Sequence, residues 1–364
     1  MILDAATDPE PEQREATYDR SVLVVSGAPQ LDHHETGYGH PERKARVQAA
    51  LDGIASARLW DAVVPIEPRR ASIEELCLVH PLGYVEGIES ICAEGGGALD
   101  SDTIVSEGSF DTACFATGAC LAVVDSLASG RGHVGFAAAR PPGHHAAKHH
   151  AMGFCLFNNV AIAAAYLVER GERVCVVDWD VHHGNGTQEI FWDEPRVLYV
   201  STHQSPLYPG TGSADEIGGP GALGLTLNVP LPAHATGDVC RRAFDEIISP
   251  EVEAFEPDWV LVSAGFDAHR ADPLANLELT SGDFAAFAKV VAEYTPAPGR
   301  LAFVLEGGYD LEALRVSVGA TLAAALGEPV RAEAPSSGGP GADDLARVTN
   351  ARLRAFDAAE AEHT

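Results

Sequence analysis

Four short apolar stretches, each ending in polar or charged residues, constrain the fold of this chain more than any other feature. They read RVCVVDWDV (173–181), RVLYVSTH (196–203), DWVLVSAGFD (258–267) and LAFVLEGGYD (301–310). Continuous apolar strands separated by helical segments are typical of a parallel sheet with helices on both faces. The carboxyl ends of parallel strands meet at one edge, where ligands of open α/β folds bind. We therefore expect the polar ends of these stretches to form the functional site.

The remaining sequence predicts further elements of the same α/β type. Apolar periodicity predicts strands over 21–25 and 132–139. It also predicts one helix that begins near Pro41 and three further helices, over 72–92, 110–129 and 156–171. The stretch AEAPSSGGPGADD (332–344) is rich in Gly, Pro and Ser and precedes an amphipathic segment. The predicted parts are an acidic N-terminal lead-in (1–20), one catalytic domain (21–330), and a hinge with a C-terminal helix (331–364).

Composition limits the classes of partner. The formal net charge of -29 disfavours nucleic acid and anionic membranes and would attract cationic substrates, although a solubility adaptation explains it equally well. The seven cysteines form no CxxC pair, which indicates reduced thiols. The N-terminus lacks the features of a signal peptide, and we see no apolar run near the roughly 18 residues of a membrane span. We expect a soluble, cytoplasmic protein.

The stretch VVDWDVHHGNG (176–186) concentrates ionisable residues at a strand end. Strand alternation places Asp178, Asp180 and His182 on one face, where their charges would repel one another unless a cation lay among them. A hydrogen-bonded network without a metal is the alternative. A metal site is the first hypothesis.

Three other loops contain residues that could belong to the same site. Asp267 follows a strand, His144 and His145 form a pair in the proline-stiffened loop RPPGHHAAKHHAMGF, and Tyr309 follows two glycines in LEGGYD. Taken singly, these are ordinary candidates for a helix cap, structural histidines and a packing tyrosine. Together with Asp180 and His182 they supply three metal ligands, an acid–base pair and an oxyanion donor. That set predicts metal-assisted amide hydrolysis, with Zn²⁺ at Asp180, His182 and Asp267.

The motifs RPPGHHA, AMGFC, DWDVHHGNGTQEIF, YPGTG, SAGFDAHRADPL and EGGYD resemble those of the histone deacetylase family, from about residue 20 to residue 326. The family includes zinc-dependent deacetylases and acetylpolyamine amidohydrolases. The motif sequences of this chain are most similar to those of the class II branch and its bacterial relatives. The resemblance implies an arginase/deacetylase-like three-layer α/β/α fold around a central, mainly parallel sheet of about eight strands. It also implies one zinc ion per chain.

The resemblance assigns roles around the zinc. Asp178 would orient His144, and Asn185, an aspartate in class I members, would be the partner of His145. With a neutral partner, His145 is the better general base, and His144 would stay cationic; this division is a hypothesis. Tyr309 matches the oxyanion-stabilising tyrosine. A structural potassium ion is implied beside Asp178, Asp180, His182, Ser201 and Thr202.

The resemblance also implies a substrate channel and an acylated amine as substrate. The residues that match its lining and rim are Gly153, Phe154, Tyr208, Asp102 and Leu274, and Arg46 matches an arginine of the acetate-exit cavity. A polyamine-deacetylating member has glutamate in place of Leu274, so we favour N-acyl-lysine, in a peptide, a protein or a similar N-acyl amine. Acetylpolyamines remain an alternative.

Two further alternatives are weaker. An arginase-type ureohydrolase needs two manganese ions and an aspartate in place of Asn185, and a non-catalytic acyl-lysine-binding protein would not need Tyr309. A homo-oligomer is compatible with the resemblance.

Overall fold

Short buried stretches rich in Val, Leu and Ile form the strands, as their composition predicts. The computed structural model describes residues 22–27 and 32–362, and ten strands lie within those residues. Their bounds are β1 Leu23–Ser26, β2 Val63–Ile66, β3 Gly96–Ala98, β4 Ile104–Ser106, β5 Val134–Ala137, β6 Val174–Asp178, β7 Val197–Gln204, β8 Thr226–Leu231, β9 Trp259–Ala264 and β10 Leu301–Leu305.

Eight of these strands form one sheet in the order β2-β1-β5-β10-β9-β6-β7-β8. Every neighbouring pair is parallel, and β3 and β4 form a separate antiparallel pair. The four stretches singled out in the sequence form β10, β9, β6 and β7, which are adjacent in the middle of the sheet. Their polar carboxyl ends therefore meet at one edge, and the predicted α/β fold is confirmed.

Helices cover both faces of the sheet. One face packs on the helices over 45–56, 281–293 and 311–325, and the other on the helices over 109–128 and 159–168. Alternate residues of β6 therefore enter different hydrophobic clusters. The bounds of the helices are α1 Ala45–Ser56, α2 Ile73–Leu76, α3 Leu82–Ala93, α4 Ser109–Ala128, α5 Asn159–Val168, α6 Asn185–Phe191, α7 Gly237–Ala243, α8 Ser249–Phe255, α9 Ser281–Glu293, α10 Leu311–Ala325 and α11 Ala342–Glu362, with a π-helical turn Phe244–Ile248 between α7 and α8.

The sequence prediction did not include the short strands β2, β3 and β4, and it differs from the structure at two further elements. The helix expected over 72–92 is two helices, because Pro81 starts α3 and the chain turns before it. Strand β8 was not predicted, since Pro230 lies within it. The proline is tolerated because β8 is the edge strand of the sheet.

Helix α4 is long and apolar enough to cross a membrane by length and composition, contrary to the expectation that no such run exists. In this fold, 83% of its most apolar window is buried. The helix packs on β1, β5 and α5, and this burial explains its apolar composition.

The C-terminal helix α11 packs along the edge strand β8. Leu345 and Val348 join the main core, and the Arg352 guanidinium donates to the Thr226 and Gly224 carbonyl oxygens at 2.7 and 2.9 Å. The lead-in predicted over 1–20 lies outside the described residues, and the division at residues 21, 330 and 331 stays a prediction.

Candidate active site

The site begins where β6 ends at Asp178. The chain leaves the sheet there, yet the side chains of Trp179 and Val181 still enter the same core cluster as Val177. Trp179 packs among Phe284, Phe287 and Phe303, with ring centroids 5.9–6.4 Å apart. This aromatic anchor leaves the alternate residues, Asp180 and His182, on the opposite side of the segment. Truncating such a buried aromatic residue typically costs about 3–5 kcal/mol.

Asp180, His182 and Asp267 converge at the carboxyl edge. Their potential ligand atoms all lie within 4.8 Å of one another. The His182 Nδ1 atom is 3.2 Å from Asp180 Oδ1 and 3.3 Å from Asp267 Oδ2. Two carboxylates and one imidazole in this arrangement form a candidate metal site.

The chemistry of this cluster fits a cation. Among residues 22–27 and 32–362, no hydrogen-bond partner is found for the buried Asp267 Oδ2, although buried carboxylate oxygens normally have one. Burial opposes a charged His182, but the two carboxylates outweigh burial and raise its pKa to about 10. The cluster therefore attracts positive charge, and a metal ion would replace the proton on His182.

Close packing of glycines shapes the same cluster. A Cβ atom on Gly307 would lie 2.0 Å from Asp267 Oδ2, and one on Gly265 would lie 2.1 Å from Asp180 Oδ2. The Gly307 N–H also donates to Asp180 Oδ2 at 2.8 Å. Only glycine can stand at these two positions without displacing the carboxylates.

His144 has a charged partner. Its Nδ1 atom lies 3.0 Å from Asp178 Oδ2, which also accepts the Tyr199 hydroxyl at 3.2 Å. Burial disfavours the charged imidazole, but Asp180 and Asp178 together raise the pKa of His144 well above its ordinary value. Its Nε2 atom is 3.7 Å from Asp180 Oδ1. The two carboxylates thus favour the cationic form of His144 beside the candidate metal site.

His145 has a neutral partner. Its Nδ1 atom lies 2.8 Å from Asn185 Oδ1, which assigns the proton to Nδ1 and leaves a lone pair on Nε2. Burial, followed by the charges of His144 and His182, lowers the pKa of His145 well below its ordinary value. His144 therefore contacts Asp178 and His145 contacts Asn185, while the catalytic roles of these pairs stay predictions.

Tyr309 is fixed from two sides. Its N–H donates to Asp272 Oδ2 at 2.6 Å, and its ring packs edge-on against Phe154 at 5.8 Å. The guanidinium of the fully buried Arg46 lies 4.9 Å from the ring centroid and donates to the Gly308 carbonyl at 2.7 Å. Burial raises the pKa of the Tyr309 hydroxyl well above its ordinary value, so it stays a hydrogen-bond donor.

Gly153 and Phe154 line the approach to the tandem histidines. Both have left-handed backbone, with φ of 56° and 68°, and a Cβ on Gly153 would lie 2.4 Å from His145 Cδ2. On the other side, the Tyr208 ring packs edge-on against His145 with centroids 5.2 Å apart and is 38% exposed. Gly153 and Tyr208 thus both lie against His145, whereas the Phe154 ring lies against Tyr309; their role as a channel lining stays a prediction.

Asp102 and Leu274 lie at the periphery of this group. The Thr103 hydroxyl donates to Asp102 Oδ1 at 3.1 Å and accepts the Phe154 N–H at 3.1 Å, which places Asp102 beside the lining. Leu274 is half-buried, and its N–H donates to Asp272 Oδ1 at 3.0 Å, on the carboxylate that holds Tyr309. Their roles toward a substrate stay predictions.

The predicted potassium ligands are partly assembled. Asp178 and Ser201 are register partners on β6 and β7, and Thr202 follows Ser201 on the same strand. The Ser201 hydroxyl lies 2.9 Å from His203 Nδ1. A potassium ion there stays a prediction.

The sequence analysis did not identify Glu306, which follows β10 and binds the loop that carries the tandem histidines. Its Oε2 atom accepts the N–H groups of Gly143 and His144 at 2.6 and 3.1 Å. Burial raises the pKa of this carboxyl to about 7. The glutamate directly follows the apolar stretch LAFVL and precedes the two glycines of the quoted motif, and this position was the available signal in the sequence.

A buried ion network was also missed. The Arg140 guanidinium binds both Glu42 and Asp32 at 2.6 Å, and Glu42 also pairs with Arg46 at 3.2 Å. Glu42 therefore joins the loop before the tandem histidines to the arginine that packs on Tyr309.

The parallel sheet, the Asp–His–Asp cluster and the tandem histidines together define a hydrolase with a candidate metal centre at the carboxyl edge. Residues 40–325 match the family described as "Histone deacetylase domain". The chain belongs to the histone deacetylase family. It is an amidohydrolase of the deacetylase type.

Relatives and a solved structure agree with this assignment. A histone deacetylase-like amidohydrolase of Pseudomonas aeruginosa is 40% identical over 277 residues, which are 74% of this chain and 72% of the relative. A probable deacetylase of Archaeoglobus fulgidus is 40% identical over 284 residues, covering 77% of this chain and 79% of the relative. The crystal structure of the HDA15 HD domain superimposes with a TM-score of 0.84 at 37% identity, covering 92% of this chain and 95% of that one.

Proposed function

We propose that this protein removes acetyl groups from N-acetyl-lysine or a similar N-acyl amine, with one zinc ion held by Asp180, His182 and Asp267. The observation that carries the proposal is the convergence of these three ligands within 4.8 Å, beside two histidines whose partners differ in charge. When bound, zinc lowers the pKa of a water molecule and polarises the amide carbonyl.

The two histidines have different roles: His145 transfers protons, and His144 stabilises charge. The attacking water gives its proton to Nε2 of His145, which is free because Nδ1 is bonded to Asn185. His144, kept cationic by Asp178, stabilises negative charge that develops on the carbonyl oxygen. As the C–N bond breaks, the proton held on His145 Nε2 passes to the amine nitrogen, so that acetate and free amine leave and His145 returns to its neutral form.

Tyr309, together with His144, stabilises the negative charge that develops on the carbonyl oxygen. Its hydroxyl stays protonated at neutral pH because burial raises its pKa. Its backbone is held by Asp272 and its ring by Arg46 and Phe154, so the donor is oriented before substrate arrives. Preorganised donors of this kind contribute strongly to acyl-transfer reactions.

The residues predicted to line the channel favour an acyl-lysine substrate. Phe154 and Tyr208 offer aromatic surface for an aliphatic stem that ends in the acylated nitrogen. Leu274 provides no charge for a second cationic nitrogen, whereas the net charge of -29 attracts cations at long range. Acyl-lysine is therefore the preferred substrate, and an acetylpolyamine is the second candidate.

A kinetic comparison tests the proposal. The zinc-loaded protein is given an acetyl-lysine peptide, a trifluoroacetyl-lysine peptide and acetylated polyamines, and acetate or amine release is measured alongside the metal content. We expect one zinc per chain and the highest kcat/KM on a lysine substrate. A higher kcat/KM on an acetylpolyamine than on the lysine peptides would make acetylpolyamine, and not acyl-lysine, the preferred substrate. Stoichiometric zinc without release from any acylated amine would refute the proposed function.

A further inference from the structure

The Gly/Pro/Ser-rich stretch predicted as a hinge is bound to the domain at several points. We call residues 333–339 the C-terminal strap; they lie beyond the part that matches the family, residues 40–325. The Ser336 N–H and hydroxyl donate to Asp283 Oδ2 at 3.0 and 2.7 Å. The Gly339 N–H donates to the Thr236 hydroxyl at 2.8 Å. The strap is thereby fastened to the starts of α9 and α7.

Glu333 begins the strap and reaches toward the candidate active site. Its Oε2 atom lies 2.8 Å from His269 Nε2 and accepts the Ser281 N–H at 3.2 Å, and its Oε1 atom accepts the Arg270 guanidinium at 2.5 Å. The carbonyl of Glu333 would lie 2.3 Å from a Cβ on Gly282. Glycine at position 282 thus lets the strap approach α9 closely.

The hydrogen bonds of His269 fix its orientation. The Ala271 N–H donates to His269 Nδ1 at 3.1 Å, so the ring proton lies on Nε2 and is donated to Glu333. The His269 carbonyl accepts the Asp272 N–H at 2.8 Å, and the ring is 5% exposed. Through this hydrogen bond to His269, Glu333 holds the middle of the loop 267–272 against the C-terminal strap.

That loop carries two groups that the site depends on. Asp267 stands at its start among the candidate metal ligands, and Asp272 stands at its end, where it holds the Tyr309 N–H at 2.6 Å. We propose that Glu333 is a positioning residue, which acts through His269 to hold Asp267 and Tyr309 in place. The C-terminal strap is then part of the active-site support, rather than an appendage.

The inference rests on the proposed function only in taking Asp267 as a zinc ligand. Its test uses the full chain with three variants. Glu333→Ala removes the acceptor, whereas Glu333→Gln keeps one oxygen for the His269 Nε2 proton. Glu251→Gln is the matched control, because Glu251 pairs with Arg352 of the C-terminal helix at 3.4 Å and makes no described ion pair or hydrogen bond to residues 267–272.

Three measurements follow. Zinc affinity is measured by chelator competition, amide hydrogen exchange over residues 267–272 is measured without metal, and kcat and KM are measured with saturating zinc. For Glu333→Ala we expect a loss of about 10-fold in zinc affinity, within the range typical for residues that support metal ligands. We also expect faster exchange in the loop and a lower kcat with KM unchanged. Glu333→Gln should recover much of the loss, and Glu251→Gln should match the wild type.

Zinc affinity and loop exchange that are unchanged in Glu333→Ala, or changed equally in Glu251→Gln, would overturn the inference. If the wild type binds zinc but hydrolyses no acylated amine, the proposed function fails. The exchange and affinity results still decide the role of Glu333 in that case. If the wild type binds no zinc, faster exchange in Glu333→Ala alone supports the strap contact, and its absence refutes it.

Discussion

His145 donates from Nδ1 to the side-chain oxygen of Asn185 across 2.8 Å, so the histidine proposed as base has a neutral partner. Its neighbour His144 makes the equivalent contact to the Asp178 carboxylate at 3.0 Å. The two imidazole centroids are 4.0 Å apart, and a second positive charge at that distance is unfavourable. Asn185 thus keeps one histidine neutral while the other is charged.

Replacing Asn185 by aspartate should shift the acid limb of the pH–rate profile. A carboxylate beside Nδ1 favours the protonated imidazole, and opposite charges within a few Å typically move a pKa by about 1–3 units. Because the base must be neutral, activity would be lost at a higher pH than in the wild type. The measurement is kcat/KM against pH for the zinc-loaded Asn185→Asp variant, with zinc content checked at each pH. An acid limb at the wild-type position would count against His145 as the base.

Removing the Tyr309 hydroxyl should lower kcat far more than it changes KM. Tyr309→Phe keeps the ring contacts with Phe154 and Arg46 but deletes the donor to the developing oxyanion. The loss of one such donor typically costs about 10²–10³ in turnover. Steady-state kinetics on an acetyl-lysine peptide measure the effect. Tyr166→Phe, which removes a hydroxyl that donates to Asp125, serves as the control. A Tyr309→Phe variant with near-normal kcat would exclude the oxyanion role.

Much of the fold follows from the sequence because buried parallel strands have an uninterrupted apolar signature. Strands β6, β7, β9 and β10 were predicted for this reason, and their adjacency explains the clustering of polar ends. Strand β8 was missed, because its proline and polar residues match an edge strand whose partner on one side is a helix. Edge strands are stabilised by tertiary packing that periodicity does not report.

The site was partly predictable for a related reason. The residues that bear chemistry, such as Asp180 and Tyr309, stand in unusual local sequences. The supporting residues Glu42 and Glu333 do not: each resembles an ordinary surface acid, and only the fold shows what its carboxylate contacts. Glu42 lies close to the N-terminus in sequence, yet its carboxylate binds Arg140 at 2.6 Å and so supports the loop before the tandem histidines.

Glu306 supports the tandem histidines directly, and its removal should impair turnover. Glu306→Ala leaves the N–H groups of Gly143 and His144 buried without an acceptor, at a cost of about 1–3 kcal/mol each. We expect kcat to fall about 10- to 100-fold with KM little changed, and Glu306→Gln, which keeps one oxygen, to lie between. Kinetics and urea unfolding measure both effects, with the exposed Glu312→Gln as control. Equal kcat in Glu306→Ala and wild type would show that the histidine loop holds its geometry without this carboxylate.

His80 makes a second contact to the same loop. It is fully buried, accepts the Asn158 N–H on Nε2 at 3.0 Å and lies with Nδ1 3.2 Å from the Lys148 carbonyl. Both bonds are satisfied by the neutral ring with its proton on Nδ1. Burial lowers the pKa of His80 to about 4.

The folded-state pKa of His80 lies below the unfolded value near 6.5, so protons bind the unfolded chain more tightly. Stability from this residue is therefore present above pH 6.5 and is lost as the pH falls toward 4, by about 2 kcal/mol between pH 7.5 and pH 5. His80→Gln should be less stable at pH 7.5, through a weakened hydrogen bond, but should lose about 2 kcal/mol less on acidification. Urea unfolding at both pH values, with chelator present so that metal binding stays constant, measures the difference. The exposed His234→Gln should retain the wild-type pH dependence. If His80→Gln retains it too, protonation of His80 does not couple to unfolding.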